Sequence, residues 1–275
     1  MNEKPGRASA LLARYGQADD VPPGPWNPVL ESIMGHRSVR AYKPDPLPHG
    51  TLETIVAAAQ SAATSTNMQN WSVVAISDPA LRADLARMAA GQRHVTECPL
   101  FLVFLADLSR VARVGEEAGA MLEALPYLET FLVAAMDAAI AAQNAAVAAE
   151  SLGLGTVYIG AIRNNPEGVA AALGLPPGAV AVTGLCIGYA DSEREQAAVK
   201  PRLPQAAVLH RNRYDDADRA ARASYDKVLL ASSANSERIS HTWTERVVSR
   251  LGTLSALAGR DKLREALERL GLPLR

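Results

Sequence analysis

The sequence has no excess of charge of either sign. Its 275 residues include 28 lysines and arginines against 29 aspartates and glutamates, a formal net charge of −1. A protein that binds nucleic acid or another polyanion over a broad surface carries a basic excess. The charge balance therefore argues against nucleic acid as a partner, and any anion site must be built from a few local cations.

Cysteine is scarce, and the common catalytic motifs are missing. The two cysteines, Cys98 and Cys186, lie in apolar stretches without CxxC spacing, which is typical of buried thiols in a reducing compartment. The five histidines show no metal-ligand spacing, and no Walker loop, HExxH or GxSxG occurs. No metal is expected. A nucleophile-and-base enzyme is not excluded, but no motif indicates one.

One apolar run is long enough to suggest a membrane span. Residues 131–149 read FLVAAMDAAIAAQNAAVAA, about the length that crosses a bilayer. The run is mostly alanine and contains Asp137, and an aspartate at a membrane centre costs about 2.5–3.5 kcal/mol. We predict a buried core helix, covered on its remaining sides by a second subunit. Because the N-terminal segment lacks the long apolar region of a signal peptide, a cytoplasmic location and no membrane contact are expected.

Helix and strand patterns alternate along the rest of the chain. TLETIVAAAQSAA, from Thr51, has helical periodicity, whereas WSVVAIS, PLFLVFLADL, GTVYIGAI and AVAVTGLCIGYA are typical of strands. The sequence TWTE, from Thr242, fits a capping box at the start of a late helix. The elements do not follow a regular parallel βαβ order, so an α+β fold is predicted, with a mixed sheet between helices.

Two basic stretches bounded by prolines lie far apart in the sequence. GHRSVRAYKPDPLP, from Gly35, contains His36, Arg37 and Arg40, and VKPRLP contains Lys200 and Arg202. Stiff basic loops of this kind are able to converge on one phosphate, with arginine giving paired contacts and lysine a point charge. Two unrelated solvated loops, the first at a helix C-terminus, remain the alternative.

Six blocks of the sequence together resemble the FMN-dependent nitroreductase family. They are HRSVRAYKPDPLP, ATSTNMQNWSVVAISD, AGQRHV, AAQNAAVAAESLGLGTVYIGAIRNNPE, GLCIGYA and KPRLP. The blocks are most similar to its oxygen-insensitive, NADPH-linked nitroreductase and flavin reductase branch. The resemblance implies a mostly antiparallel sheet flanked by helices and a homodimer with bound FMN. Residues 1–27, which end in VPPGPWN, are interpreted from their own sequence as an N-terminal extension. Together with the resemblance this predicts an FMN-binding core (28–204) and a helical tail (205–275) that covers the active site or the partner subunit.

The resemblance assigns flavin contacts to individual residues. It assigns the first basic block to the phosphate and the ribityl chain of FMN, and Arg40, the last arginine of that block, to the pyrimidine edge of the flavin. It assigns the second basic stretch, VKPRLP, to further contacts with the phosphate. The amide of Gln92 is assigned to the pyrimidine ring, and the backbone of a later loop to the hydride-accepting nitrogen. The full set is His36, Arg37, Ser38, Arg40, Thr64, Ser65, Thr66, Asn67, Gln92, Tyr158, Ile159, Gly160, Ala161, Lys200 and Arg202. Arg93 and His94 fit less well, since helix capping also explains them.

The chemistry that the resemblance implies is ping-pong hydride transfer. NADPH or NADH reduces the flavin, and a nitroaromatic, a quinone, a free flavin or another small electron acceptor reoxidises it, with no side chain required as a catalytic base. The alternatives are a low-turnover flavin-binding or flavin-processing protein of the same fold, and a scaffold without cofactor. Ser233 lies where the branch has an arginine for the 2′-phosphate of NADPH, so Arg238 is predicted to replace it at the nucleotide.

Overall fold

A computed structural model of the chain describes residues 6–16, 21–22, 24–216, 218–236 and 241–275. Its α-helices are α1 (Arg7–Tyr15), α2 (Pro28–Met34), α3 (Thr51–Gln60), α4 (Pro79–Met88), α5 (Arg93–Glu97), α6 (Ser109–Glu117), α7 (Leu128–Ser151), α8 (Pro166–Leu173), α9 (Arg219–Ser236), α10 (Trp243–Leu251) and α11 (Leu263–Arg269). Its strands are β1 (Trp71–Ile76), β2 (Leu100–Asp107), β3 (Gly155–Ile159) and β4 (Ala179–Gly188).

The chain forms two compact units, and neither is continuous in sequence. The first unit lies within Met1–Ser38 and Gln196–Ala256, and the second comprises Val39–Glu195 and Leu257–Arg275. The N-terminal segment therefore belongs to the same unit as most of the tail. The last residues of the tail belong to the unit that contains the sheet.

The sheet of the second unit has the strand order β1-β2-β4-β3. All three pairings between these strands are antiparallel, with Val74 opposite Val103, and with Cys186 of β4 between Phe101 and Val157. The central strands are rich in β-branched and aromatic residues, which pack well on a pleated surface. With helices packed against this sheet, the predicted α+β fold with a mostly antiparallel sheet is confirmed.

The Ala-rich helix α7 packs its small residues onto the sheet. Ala141, Ala142 and Ala145 are fully buried in one cluster with Leu102 and Leu185. Helix α7 is long and apolar enough to cross a membrane by length and composition, but its alanine face forms the core of the second unit. Alanine lets the helix axis approach the sheet closely, and the prediction of a core helix agrees with this packing.

The first unit is helical. Helix α1 buries Ala10, Leu11 and Arg14, and α9 buries Tyr225. The Tyr225 ring contacts Trp243 edge-on, with a centroid distance of 6.1 Å. Helix α10 begins at the capping box predicted from TWTE, in which Thr242 and Glu245 exchange hydrogen bonds with each other's backbone N–H groups. The unit thus brings the N-terminal helix together with the tail helices.

Candidate flavin site

The first basic loop follows directly after α2. Gly35 and His36 continue the turn, with the N–H of Gly35 donating to Glu31 O at 3.0 Å and the N–H of His36 to Ile33 O at 3.2 Å. Arg37 is exposed, and within the described ranges its side chain has no hydrogen bond or ion pair. An unpaired guanidinium on an anchored turn is well suited to binding an anion.

The second basic loop is held by bonds to its carbonyl oxygens. The hydroxyl of Tyr225 donates to Pro201 O at 3.0 Å. The exposed Arg202 uses Nη1 to contact Lys200 O at 3.0 Å and Pro201 O at 3.1 Å. Carbonyl oxygens do not neutralise a guanidinium, so the loop keeps the positive charge of Arg202.

One guanidinium joins the two loops. Arg14 donates from Nη1 to Lys200 O at 2.8 Å, and from Nη2 to Met34 O at 2.7 Å and His36 O at 3.0 Å. Both predicted phosphate loops therefore lie beside the same side chain in the first unit. The proximity that the sequence suggested is present, whereas the binding of a phosphate there stays a prediction.

In the second unit, an extended segment next to β3 presents Arg40. The N–H of Val39 donates to Thr156 O at 2.9 Å. A Cβ on Gly155 would lie 2.6 Å from a Val39 methyl group, so only glycine allows this close approach. Val39 and Ala41 are buried, while Arg40 between them is exposed. Alternation along an extended chain thus directs the Arg40 guanidinium away from the core.

The loop at Thr64–Asn67 is strained and is held by a buried carboxylate. The hydroxyl of Thr64 donates to Oδ2 of Asp137 at 2.5 Å, and the N–H of Ser65 donates to Oδ1 at 3.1 Å. Asp137 lies in α7 and is 3% exposed. Thr66 and Asn67 have φ values of 48° and 57°, in the left-handed region that a β-branched residue rarely adopts. Strain of this kind is concentrated at functional sites.

Gln92 is the N-cap residue of α5, but its side chain does not cap the helix. Instead, its Oε1 lies 3.1 Å from Nε2 of His94. Burial lowers the pKa of His94, and the positive charge of Arg40 lowers it further, against an opposing effect of Glu97. Arg93 pairs with Glu97 at 3.0 Å, one helical turn along α5. Burial and the charge of Arg40 thus favour a neutral imidazole at His94.

The last predicted contact segment begins at the end of β3. Tyr158 and Ile159 belong to the strand, and Gly160 and Ala161 open a short 3₁₀ helix. The hydroxyl of Tyr158 donates to Oε1 of Gln143 at 3.2 Å, and burial raises its pKa. The first N–H groups of a helix lack intrahelical acceptors. Gly160 and Ala161 therefore lie where backbone donors are available to a bound molecule.

Sequence reasoning missed the two residues that anchor these loops. Arg14 was hidden in a segment interpreted as an extension, although Ala10, Leu11 and Arg14 share one helical face. In the sequence, Asp137 argues against a membrane span, but its hydrogen bonds to Thr64 and Ser65 were not predicted. A lone carboxylate in an alanine helix also predicts a buried hydrogen-bonded role, since burying an unsatisfied charge is costly.

The predicted nucleotide contact Arg238 lies outside the described residues. Ser233, at the position where the related branch has an arginine, is 2% exposed, and its hydroxyl donates to Leu230 O at 3.1 Å. The N–H of His241 donates to the Ser233 hydroxyl at 3.3 Å. Ser233 therefore ties α9 to the segment before α10.

Two family models match the chain. The model of the nitroreductase family covers residues 33–189, and that of its C-terminal domain covers residues 200–275. The oxygen-insensitive NADPH nitroreductase of Salmonella typhimurium is 38% identical over 225 residues, 80% of this chain and 90% of that protein. The FMN reductase (NADPH) of Bacillus subtilis is 36% identical over 230 residues, 81% of this chain and 91% of that protein.

Solved structures show the same fold. NfrA2 of B. megaterium superposes with a TM-score of 0.85 at 35% identity, covering 91% of this chain and 100% of that chain. The NADPH:FMN oxidoreductase from Vibrio harveyi, complexed with NAD+, superposes with a TM-score of 0.79 at 34% identity. That superposition covers 90% of this chain and 100% of the Vibrio harveyi chain. The similarity thus extends through both units.

Proposed function

Because this chain belongs to the nitroreductase family, we propose that it is an FMN-dependent NAD(P)H oxidoreductase of the nitroreductase and flavin reductase type. Relatives at 36–38% identity are named as an NADPH nitroreductase and an FMN reductase. The enzyme takes electrons from NADPH or NADH and passes them to a small acceptor such as a nitroaromatic, a quinone or a flavin. The observation that carries the proposal is the pair of basic loops joined at Arg14.

Residues 36–38 and 200–202 carry groups that fit the phosphate end of FMN. Arg37 and Arg202 are exposed guanidiniums on anchored turns, and Arg37 has no side-chain partner within the described ranges. Guanidiniums bind phosphate through paired, charge-assisted hydrogen bonds. The ammonium of Lys200 and the hydroxyl of Ser38, both half-buried, complete the proposed phosphate set.

Arg40, Gln92, Gly160 and Ala161 carry groups that fit the ring of FMN. Arg40 supplies positive charge, Gln92 an amide that donates and accepts, and Gly160 and Ala161 supply backbone donors. When bound, FMN supplies the hydride acceptor and donor chemistry. The role of Arg40 is to stabilise negative charge at the pyrimidine edge of the reduced ring. The protein binds and orients the cofactor, and we assign no side chain as a general base.

We also propose a homodimer formed through the outer face of α7. The alanines of α7 are used within the chain, but Leu128, Leu132, Met136 and Ile140 are exposed by 39–54%. The four-residue spacing places them in one stripe along the helix. An apolar stripe of this length is typical of a surface that a second copy covers. A cytoplasmic location remains part of the proposal.

The activity is tested by anaerobic titration of the purified protein. The protein should be yellow, NADPH or NADH should bleach the flavin absorbance rapidly, and a nitroaromatic or quinone should restore it. Double-reciprocal plots at several acceptor concentrations should be parallel, as a ping-pong cycle requires. A bound flavin that neither nucleotide reduces within minutes would instead support the low-turnover flavin-binding alternative.

A further inference from the structure

The N-terminal helix α1 contains a buried arginine at a position where the two family models do not extend. Arg14 is 6% exposed, and residues 1–32 precede the first matched residue, 33. Arginine is almost never buried unless its donors are used. The donors of Arg14 reach three main-chain carbonyl oxygens, at 2.7, 2.8 and 3.0 Å.

Arg14 is bonded to both basic loops, and through two different groups. Its guanidinium contacts His36 O in the first loop and Lys200 O in the second. Its own carbonyl oxygen accepts from the N–H of Arg202 at 2.8 Å. A shift of one loop relative to the other would break at least one of these bonds. Arg14 is therefore bonded in a way that resists a change in the spacing between the two sets of cations.

The bond to His36 O also sets the direction of the first loop. In a trans peptide the carbonyl and the following N–H point in opposite directions. Because His36 O faces Arg14, the N–H of Arg37 points away from it. Within the described ranges this N–H donates no main-chain hydrogen bond. Arg14 thus orients the backbone N–H of Arg37, a residue whose guanidinium is exposed.

We propose that Arg14 is a positioning residue for the phosphate of FMN: it holds residues 36–38 and 200–202 at the spacing that one phosphate requires, without touching the flavin. The inference rests on the proposed function. Its physical basis is preorganisation, since loops that are ordered before binding lose less entropy when the ligand arrives. A planar guanidinium is needed for this role, because its fixed fork of donors spans three separate carbonyls.

The test compares FMN with riboflavin, which lacks the phosphate. Apo-protein carrying Arg14→Ala, Arg14→Lys or the control Arg7→Ala is titrated with each ligand and followed by flavin fluorescence. Arg7 lies on the same helix and also donates to carbonyl oxygens, Val21 O at 3.3 Å and Pro22 O at 2.6 Å, but it contacts neither basic loop. Thermal unfolding of each apo-protein is measured in parallel.

The expected result is selective for the phosphate. Arg14→Ala should weaken FMN binding by about ten- to a hundredfold, the range for one charged hydrogen bond to the phosphate that displaced loops no longer make, and should leave riboflavin binding within about twofold. Arg14→Lys should restore little of the loss, since an ammonium does not span the three carbonyls. Arg7→Ala should bind both ligands as the wild type does.

The ratio of the affinities for FMN and riboflavin distinguishes a positioning role of Arg14 from a general effect on the stability of the fold. A change that only loosens the fold weakens the binding of FMN and of riboflavin equally. Equal losses of affinity for the two ligands, or no loss for either, in the Arg14 variants would overturn the inference. If Arg14→Ala does not fold, the same ratio is measured on Arg14→Lys. A wild-type protein that binds no FMN, or binds it no better than riboflavin, would overturn the proposed phosphate site before any variant is made.

Discussion

The hydroxyl of Thr64 donates its hydrogen bond to the buried carboxylate of Asp137, at 2.5 Å. Because a hydroxyl has a single proton, Thr64 is left only with lone pairs for a ligand. The same carboxylate accepts from the N–H of Ser65 at 3.1 Å. Asp137 therefore fixes the strained turn that follows, in which Thr66 has a φ of 48°.

Replacing Asp137 should loosen this turn. In Asp137→Ala the Thr64 hydroxyl and the Ser65 N–H lose their acceptor, and we expect the free energy of unfolding of the apo-protein to fall by about 1.5–3 kcal/mol. Flavin affinity should fall in addition. Urea denaturation and flavin titration measure the two effects. Asn144→Ala is the control on the same helix, since Asn144 donates instead to Ala58 O at 3.1 Å. Unchanged flavin affinity in Asp137→Ala would remove the turn from the flavin site.

The second basic loop is expected to carry much of the affinity for FMN. The double variant Lys200→Ala/Arg202→Ala removes two cations, each worth about 1.5–3 kcal/mol in a charge-assisted contact, so FMN binding should weaken by roughly a hundredfold or more. Equilibrium dialysis of the apo-protein measures the change. Arg211→Ala/Arg213→Ala removes the same charge from another loop of the first unit and should retain the flavin. A double variant at 200 and 202 that purifies fully loaded contradicts the assignment.

The sequence pattern predicted the helices and strands around the candidate site better than the hydrogen bonds within it. The strand patterns and the capping box at Thr242 depend on local periodicity and local hydrogen bonds, which a single segment contains. The bonds of Arg14 to Lys200 O and of Asp137 to Thr64 join residues 186 and 73 positions apart. No local pattern encodes such distant partners. The resemblance to a family predicted the site residues, whereas only the structure identifies Arg14 and Asp137 as the residues that hold the site loops in place.

The exposed stripe on α7 predicts the oligomeric state. Met136→Glu or Ile140→Glu places an unpaired charge in the proposed dimer interface, and we expect the dimer to weaken by roughly a hundredfold or more. Sedimentation velocity at micromolar concentration should show the variants as monomers and the wild type as a dimer. Val114→Glu changes another exposed hydrophobic residue, on α6, and should not alter the sedimentation. A wild-type protein that sediments as a flavin-loaded monomer would rule out the dimer.

His94 should make the stability depend on pH. Burial, aided by the charge of Arg40, lowers the pKa of His94 in the folded protein. Below the ordinary histidine pKa of about 6.5, the unfolded chain therefore binds a proton that the folded chain does not. The free energy of unfolding should decrease as the pH falls from about 6.5 towards the lowered pKa, and it should recover as the pH rises.

Replacing the imidazole tests this dependence. His94→Gln removes the titrating group, so its stability should fall less steeply than that of the wild type between pH 7 and pH 5. Urea denaturation of the apo-protein at half-unit steps gives both slopes. His49→Gln is the control for loss of an exposed histidine. Parallel curves for His94→Gln and the wild type would show that His94 is not the group responsible.

Nucleotide preference is expected to depend on Arg238. Ser233 carries no charge and is buried and bonded within the first unit, so we expect Arg238 to contact the 2′-phosphate that distinguishes NADPH from NADH. A guanidinium pairs with a phosphate through two hydrogen bonds worth about 1.5–3 kcal/mol. Arg238→Ala should therefore lower kcat/KM for NADPH by roughly ten- to a hundredfold, mainly through KM, and change NADH little.

Stopped-flow reduction of the bound flavin by each nucleotide measures this difference directly. Arg222→Ala is a suitable control, because Arg222 lies in the first unit and pairs with Asp218 at 2.9 Å. Equal losses for NADPH and NADH would indicate that Arg238 acts on something common to both nucleotides, and no loss would place it outside the site. If the wild type already uses both nucleotides equally, the tail does not discriminate between them, because the chain then lacks a contact specific for the 2′-phosphate.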